Sequence, residues 1–192
     1  MGKLLLLTGD LATGKSTFAG ILSRRYDANL FFKDSIKEVL GDTIGFSNRE
    51  ENKKLSAAAM ELMFFIFSEF AKVNKNLILE SNFHTVELEK LHTLAFTHHY
   101  EVLTLVLRGD IETLHKRYLN RMINENRHPV HLSTTIDVFD DFKACTEYLR
   151  SEEIPGNTLI IDATDFSYQT DSEILKKIDA FMKTDQAELV KG

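Results

Sequence analysis

The stretch Gly9-Asp10-Leu11-Ala12-Thr13-Gly14-Lys15-Ser16, with Thr17 after it, restricts the fold more than any other part of the sequence. It satisfies the spacing G-x-x-x-x-G-K-[ST], a pattern that is informative only between a strand and a helix. Both flanks are present. Residues 3–8 form a short apolar run suited to a buried parallel strand. Beyond the loop, Phe18, Ile21 and Leu22 share one helical face, and Arg24 and Arg25 stand where that helix should end. The residue types suit a grip on phosphate. Gly9 and Gly14 permit a tight turn that brings N–H groups close to an anion. The opening helix adds unpaired N–H donors and the positive end of its dipole. Lys15 reaches outer phosphates as a point charge, and the Ser16 hydroxyl suits Mg²⁺. The chain is therefore expected to bind a nucleoside triphosphate through Gly9, Asp10, Leu11, Ala12, Thr13, Gly14, Lys15, Ser16 and Thr17.

Read in order, the rest predicts a strand over 29–34, a short helix over 36–40 capped by Ser35, and a turn-rich break over 41–45. Ser47 and Glu50 have capping-box spacing ahead of a long helix that runs to about Val73. Its second half, from Met60 to Phe70, is apolar on nearly every side, which implies a helix wedged between other elements. Its polar first half faces solvent or a cleft, with Arg49 and Asn52 as candidates for an acceptor pocket. Further strands fall at 77–81, 101–107 and 158–162, and further helices at 85–98, 111–124, about 134–150 and 171–182. Asp110 caps the helix after the fourth strand, and Pro129 stops any helix through the loop over 126–131. The tail beyond Lys183 is expected to fray.

Five apolar strands alternating with helices imply an α/β fold: a parallel sheet covered on both faces. Ligands of such sheets lie beyond the carboxyl ends of the strands. That rule singles out the glycine loop, Asp34, Glu80 with Ser81 and Asn82, Arg108, and Asp162 with Thr164. A GTPase switch is disfavoured, because Asn74-Lys75-Asn76-Leu77 lacks the final Asp and no strand leads into Asp42-Thr43-Ile44-Gly45. A kinase needs a cradle for ATP, a carboxylate aimed at the acceptor hydroxyl and mobile arginines, and each has candidates here.

The glycine loop, Asp34, Glu80 and the run Arg117, Arg121, Arg127-His128-Pro129-Val130-His131 together resemble P-loop kinases of the nucleoside-monophosphate-kinase-like group. The zeta-toxin, chloramphenicol-phosphotransferase and polynucleotide-kinase-like branch is the most similar. The resemblance implies a three-layer P-loop NTPase fold with a five-stranded parallel sheet ordered 2-3-1-4-5 and helices on both faces. It implies one domain over 1–192 with a helical lid at about 115–135. It further implies transfer of the γ-phosphoryl group of Mg²⁺·ATP to a hydroxyl of a small-molecule acceptor such as a nucleoside, sugar, sugar-nucleotide or antibiotic. Asp34 then takes the acceptor proton, and Lys15, Arg121 and Arg127 act on the transferring group. Ser16 and Glu80 hold the metal, although many relatives carry Asp where Glu80 stands. Arg117 and Thr164 border the nucleotide. The alternatives are a nucleotide-binding regulatory NTPase and a polynucleotide 5′-hydroxyl kinase.

Composition narrows the partners. The chain has 192 residues and a formal net charge of −6, which argues against a nucleic acid held on a broad basic face. Cys145 is its one cysteine, so neither an internal disulfide nor a cysteine-built metal site is available. His128 and His131 fit lid structure better than a metal pair. The run over 57–71 is too short to span a bilayer, Leu6 spoils a myristoylation pattern at Gly2, and the apolar start flows directly into the glycine loop. These features point to a cytoplasmic protein whose oligomeric state stays open.

Overall fold

A computed structural model describes residues 1–125, 127–131 and 136–183. The chain runs β1 (Gly2–Gly9), α1 (Lys15–Tyr26), β2 (Asn29–Phe32), α2 (Lys33–Ile44), α3 (Arg49–Lys72), β3 (Leu77–Glu80) and α4 (Thr85–Thr97). It continues through β4 (Tyr100–Arg108), α5 (Ile111–Asn124), α6 (Phe139–Ser151), β5 (Thr158–Asp162) and α7 (Ser172–Lys183), with short 3-10 turns at Pro129–His131 and Ser167–Gln169. The five strands are all parallel and ordered β2-β3-β1-β4-β5.

The four consecutive leucines of β1 explain why this strand is central. Successive side chains alternate between faces, so Leu5 and Leu7 enter one core and Leu4 and Leu6 the other. On the first face they meet Phe18 and Leu22 of α1 and Ile178 and Met182 of α7. On the second they meet Met63 and Phe67 of α3 and Leu88 and Leu91 of α4. Each of the four is fully buried, contributing about 1.5–3 kcal/mol by removal from water. A third cluster joins Leu114 and Tyr118 of α5 to Phe142 of α6 and reaches Ala12 in the glycine loop.

Parallel pairing in register sets Leu7 beside Glu80 and Gly9 beside Leu107, so every strand delivers its carboxyl end to the same edge. The β2–β3 side therefore presents Lys33, Asp34 and Glu80 to Asn82, and the β4–β5 side presents the turns after Arg108 and Asp162.

Several local boundaries differ from the sequence reading. The strand expected over 29–34 stops at Phe32, and Lys33 and Asp34 open α2. Ser35 therefore lies inside α2 and does not cap it, and the break expected over 41–45 is helical as far as Ile44. The contact there is tertiary: Gly41 is buried against the Val130 side chain, which a Cβ at this position would approach to 3.3 Å. Asn48 caps α3 in place of Ser47, its side chain accepting from the Glu51 N–H at 3.0 Å while Glu51 accepts from the Ser47 N–H at 2.6 Å. The cap sits one residue later than expected, and the Glu51 carboxylate reaches past it to the N–H of the residue before. The second half of α3 is not enclosed all round, since Phe65 is 60% and Leu62 38% exposed. α6 begins at Phe139; the expected start near Thr134 and the tail after Lys183 lie outside the described residues. No helix among the described residues is long and apolar enough to cross a membrane.

Glu152, just past α6, caps α4 from a distance. It accepts from the Thr85 N–H at 2.8 Å and the Thr85 hydroxyl at 2.6 Å, and it lies 2.8 Å from His84 Nδ1. Those bonds, chiefly from the Thr85 hydroxyl, pull its carboxyl down to about 2. A depressed folded-state value means that this stabilisation is present above the ordinary carboxyl range and lost as pH falls toward about 2. Glu152→Gln is expected to cost about 1 kcal/mol at neutral pH, as for a lost cap. In urea titrations the gap to wild type should close as the pH is taken down through that window. A gap independent of pH would show that the charge is not what matters.

Candidate active site

The loop after β1 is curled by three left-handed residues, Gly9 (φ 118°), Ala12 (φ 59°) and Gly14 (φ 87°). At Gly9 only a hydrogen fits, because a Cβ would stand 2.1 Å from the Leu107 carbonyl oxygen. The Asp10 N–H donates to that same carbonyl at 2.8 Å, fastening the loop to β4. Beyond this bond, no hydrogen bond among the described residues engages the backbone N–H groups of Leu11 to Thr17. These amides form a concave set of free donors at the start of α1, the arrangement that holds anions.

The donors open into a cavity of about 460 Å³, a volume suited to a nucleotide with part of a second substrate. Leu11, Ala12, Thr13, Gly14, Lys15, Ser16 and Thr17 line its floor; Gly9 and Asp10 do not. Lys15 is buried, its ammonium donating to the carbonyls of Asp10 at 2.6 Å and Gly9 at 3.2 Å. Burial pushes the lysine below its usual range, opposed by the charges of Glu80, Asp10 and Asp34. Burial likewise pushes the Glu80 carboxyl up, opposed by Lys15 and by the Ser16 hydroxyl. Ser16 Oγ donates to Glu80 Oε2 at 2.8 Å, joining the loop to the end of β3. A hydroxyl and a carboxylate at the mouth of an amide cradle are hard oxygen donors of the kind Mg²⁺ takes beside substrate phosphates and water. Among the described residues no group of three or more His, Cys, Asp or Glu could hold a metal, and a Mg²⁺ site of this type needs none.

Asp34, in the first turn of α2, faces the same cavity, and its charge acts on both Lys15 and Glu80. No hydrogen bond among the described residues occupies its carboxylate. Lys33 lines the cavity beside it.

From the other side the cavity is walled by Arg117, Asn120, Arg121 and Glu125 of the α5 segment and by Arg127. Arg121 pairs with Glu125 at 3.1 Å, and Arg127 lies 3.6 Å from Met122 Sδ. Arg117 donates to the Ala163 carbonyl at 3.0 Å and to the Thr164 carbonyl, and stacks 4.2 Å above the half-exposed ring of Phe166. The Thr164 hydroxyl accepts from the Asp110 N–H at 2.9 Å, and Thr164 itself does not line the cavity.

The turn at Pro129–His131 is pinned to α2 and α3. His128 Nε2 lies 2.9 Å from Asp42, His131 Nε2 lies 2.8 Å from Glu38, and the Asn52 amide donates to the Val130 carbonyl at 2.8 Å. Asn52 is thus committed to the turn at Pro129–His131, and Arg49 is exposed outside the cavity.

Two supports of the loop were not visible in the sequence. Asp10 is buried, and its carboxylate is gripped by Arg150 of α6 at 2.6 Å and by the Gly109 N–H at 3.0 Å. Asp10 also holds the Arg150 guanidinium firmly charged. Tyr168 donates its hydroxyl to the Thr13 carbonyl at 2.9 Å and packs edge-on against Phe18 of α1. Both partners are more than 130 residues away in sequence, and no local pattern marks them. Phe166 had a weaker signal: it follows the turn after β5 by a few residues.

No protein-family model and no curated protein matches the chain. Solved structures do. A presumed kinase from Chloroflexus aurantiacus superposes with a TM-score of 0.77 at 27% identity, over 94% of this chain and 98% of that one. A gluconokinase from Sinorhizobium meliloti gives 0.60 at 12% identity, over 98% of this chain and 95% of the other. The APS kinase of Mycobacterium tuberculosis, in complex with AMPPNP and APS, gives 0.60 at 14% identity, over 93% of this chain and 98% of that one. The chain has the P-loop kinase fold. Kinases of small molecules are among its structural neighbours.

Proposed function

We propose that this protein is a Mg²⁺·ATP-dependent kinase that transfers the γ-phosphoryl group to a hydroxyl of a small molecule. The observation that carries the reading is the Ser16–Glu80 contact at the mouth of the amide cradle, in one cavity with an unengaged Asp34. Lys15 and the loop amides hold the β and γ phosphates, while Arg117 and the turn around Thr164 border the nucleoside. Ser16 and Glu80 are the residues that hold Mg²⁺, which when bound supplies charge neutralisation on the phosphates. Asp34 takes the acceptor's hydroxyl proton as the acceptor oxygen bonds to the γ phosphorus and the bond to the bridging oxygen breaks, releasing ADP. Arg121 and Arg127, forked and permanently charged, neutralise the transferring group. The reading places the chain in the nucleoside-monophosphate-kinase-like group, near its zeta-toxin and chloramphenicol-phosphotransferase branch. It makes residues 1–192 one cytoplasmic domain with a lid at about 115–135.

The test is ADP release from Mg²⁺·ATP with a panel of hydroxyl acceptors, against water alone. Stimulation by one acceptor class well above the water rate is expected. Acceptor-independent release of the same size throughout the panel would instead identify a nucleotide-binding regulatory NTPase, and selective stimulation by 5′-hydroxyl oligonucleotides a polynucleotide kinase.

A further inference from the structure

The two ends of the cavity differ in chemistry. At the β4–β5 end stands its one aromatic ring among the described residues, Phe166, under the Arg117 guanidinium. At the β2–β3 end the lining is Lys33, Asp34, Glu80, Ser81 and Asn82, with no aromatic and no aliphatic side chain. A flat nucleobase has a stacking surface at the first end and none at the second.

Lys33 is the unusual member. As the first residue of α2 it sits at the positive end of a helix dipole, where a cation is disfavoured. Its ammonium donates to a neutral partner, the Ser56 hydroxyl, at 2.6 Å. No carboxylate among the described residues lies within ion-pair distance of it. The acids of the cavity are engaged or reserved: Glu125 pairs with Arg121, Glu80 with Ser16, and Asp34 is needed at the acceptor hydroxyl. One turn along α2, Lys37 donates to the Val130 carbonyl and lies outside the cavity lining. Burial lowers the Lys37 ammonium and the charge of Lys33 lowers it further, opposed by the charge of Asp34.

We infer that the phosphoryl acceptor is a small hydroxyl compound that carries an anionic group, a carboxylate or a phosphate, and that Lys33 pairs with this group to set the hydroxyl beside Asp34. The inference rests on the kinase reading above and narrows its acceptor. A lysine is a point charge and takes either anion. Nucleosides and neutral polyols leave that charge unmatched.

The test uses the full chain and Mg²⁺·ATP with acceptors in matched sets: glucose, gluconate and glucose 6-phosphate; glycerol, glycerate and glycerol 3-phosphate; and uridine. The expected result is a kcat/KM at least about tenfold higher for an anionic member than for its neutral counterpart, the equivalent of one desolvated ion pair. The carboxylate and phosphate arms then tell the two anions apart. Lys33→Gln should collapse that ratio toward unity, and Lys33→Arg should keep most of it. A ratio, unlike a rate, is not moved by partial loss of folded protein. Preference for glucose, glycerol or uridine overturns this inference and leaves the kinase standing, as does a ratio unchanged in Lys33→Gln. Release of ADP that no acceptor stimulates overturns the kinase reading itself.

Discussion

Lys15→Ala is expected to weaken Mg²⁺·ATP binding by at least about a hundredfold while leaving the free protein folded. The size follows from what the ammonium does. It is buried and held by the carbonyls of Gly9 and Asp10 at the floor of the cavity. Charge-assisted hydrogen bonds to phosphate in such a site are worth roughly 1.5–3 kcal/mol each, and about 1.4 kcal/mol is a factor of ten in affinity. The effect on the free fold runs the other way. Burial holds the Lys15 pKa below its usual 10.5, so the charged lysine costs stability at neutral pH. That cost is relieved only as pH rises from the lowered value toward 10.5, because there the unfolded chain binds the extra proton. Deleting the side chain removes the cost and leaves the Glu80 carboxyl, already raised by burial, less compensated. Thermal melts separate the two consequences. Saturation at a hundred times Kd stabilises by about 2.7 kcal/mol. The wild type should show that shift with Mg²⁺·ATP and the variant should not, while their unliganded melting temperatures stay close. A nucleotide-induced shift that survives in Lys15→Ala removes this lysine from the phosphate site.

What the sequence disclosed follows from how local the physics is. The glycine loop, its strand and its helix are neighbours in the chain, and the four leucines of β1 announce a strand buried on both faces. The strand order came through resemblance to P-loop kinases, since periodicity says nothing about which strands pair. Boundaries failed where a distant contact overrode a local signal. Gly41 looks like a turn residue, yet α2 passes through it with Val130 packed against that glycine. Asn48 and Ser47 are both good caps, and sequence spacing does not choose between two overlapping boxes. The site divides in the same way. The residues brought to the cavity by strand ends (Ser16, Asp34, Glu80) were legible, because a parallel sheet sends every carboxyl end to one edge. Asp10 matched the motif but turns its carboxylate to Arg150, which stabilises the loop from behind. Lys33 was passed over because a lysine next to an aspartate reads as ordinary surface charge. Its position matters only once the cavity shows it bonded to the Ser56 hydroxyl and, among the described residues, to no carboxylate.

Asp34→Asn is expected to lower turnover by about two to four orders of magnitude without weakening ATP binding. The substitution keeps the shape of the side chain and removes its capacity to take a proton. It also removes a negative charge that acts on Lys15 and Glu80, so the triphosphate meets less repulsion and its Kd should stay level or fall. Loss of the acid in the first turn of α2 costs the fold only about 0.3–1 kcal/mol through the helix dipole. The signature is therefore a kcat that collapses beside an unchanged or tighter nucleotide Kd, the reverse of Lys15→Ala. Acceptor-stimulated ADP release and nucleotide binding, measured on the same preparation, distinguish the roles. If both constants fall together, Asp34 is shaping the cavity; if turnover stays at the wild-type level, the acceptor proton goes elsewhere. The geometry favours the first pattern, because Asp34 is the carboxylate of this cavity that neither the Ser16 hydroxyl nor an arginine engages. A base must be free to accept a proton, and Glu80 and Glu125 are already occupied.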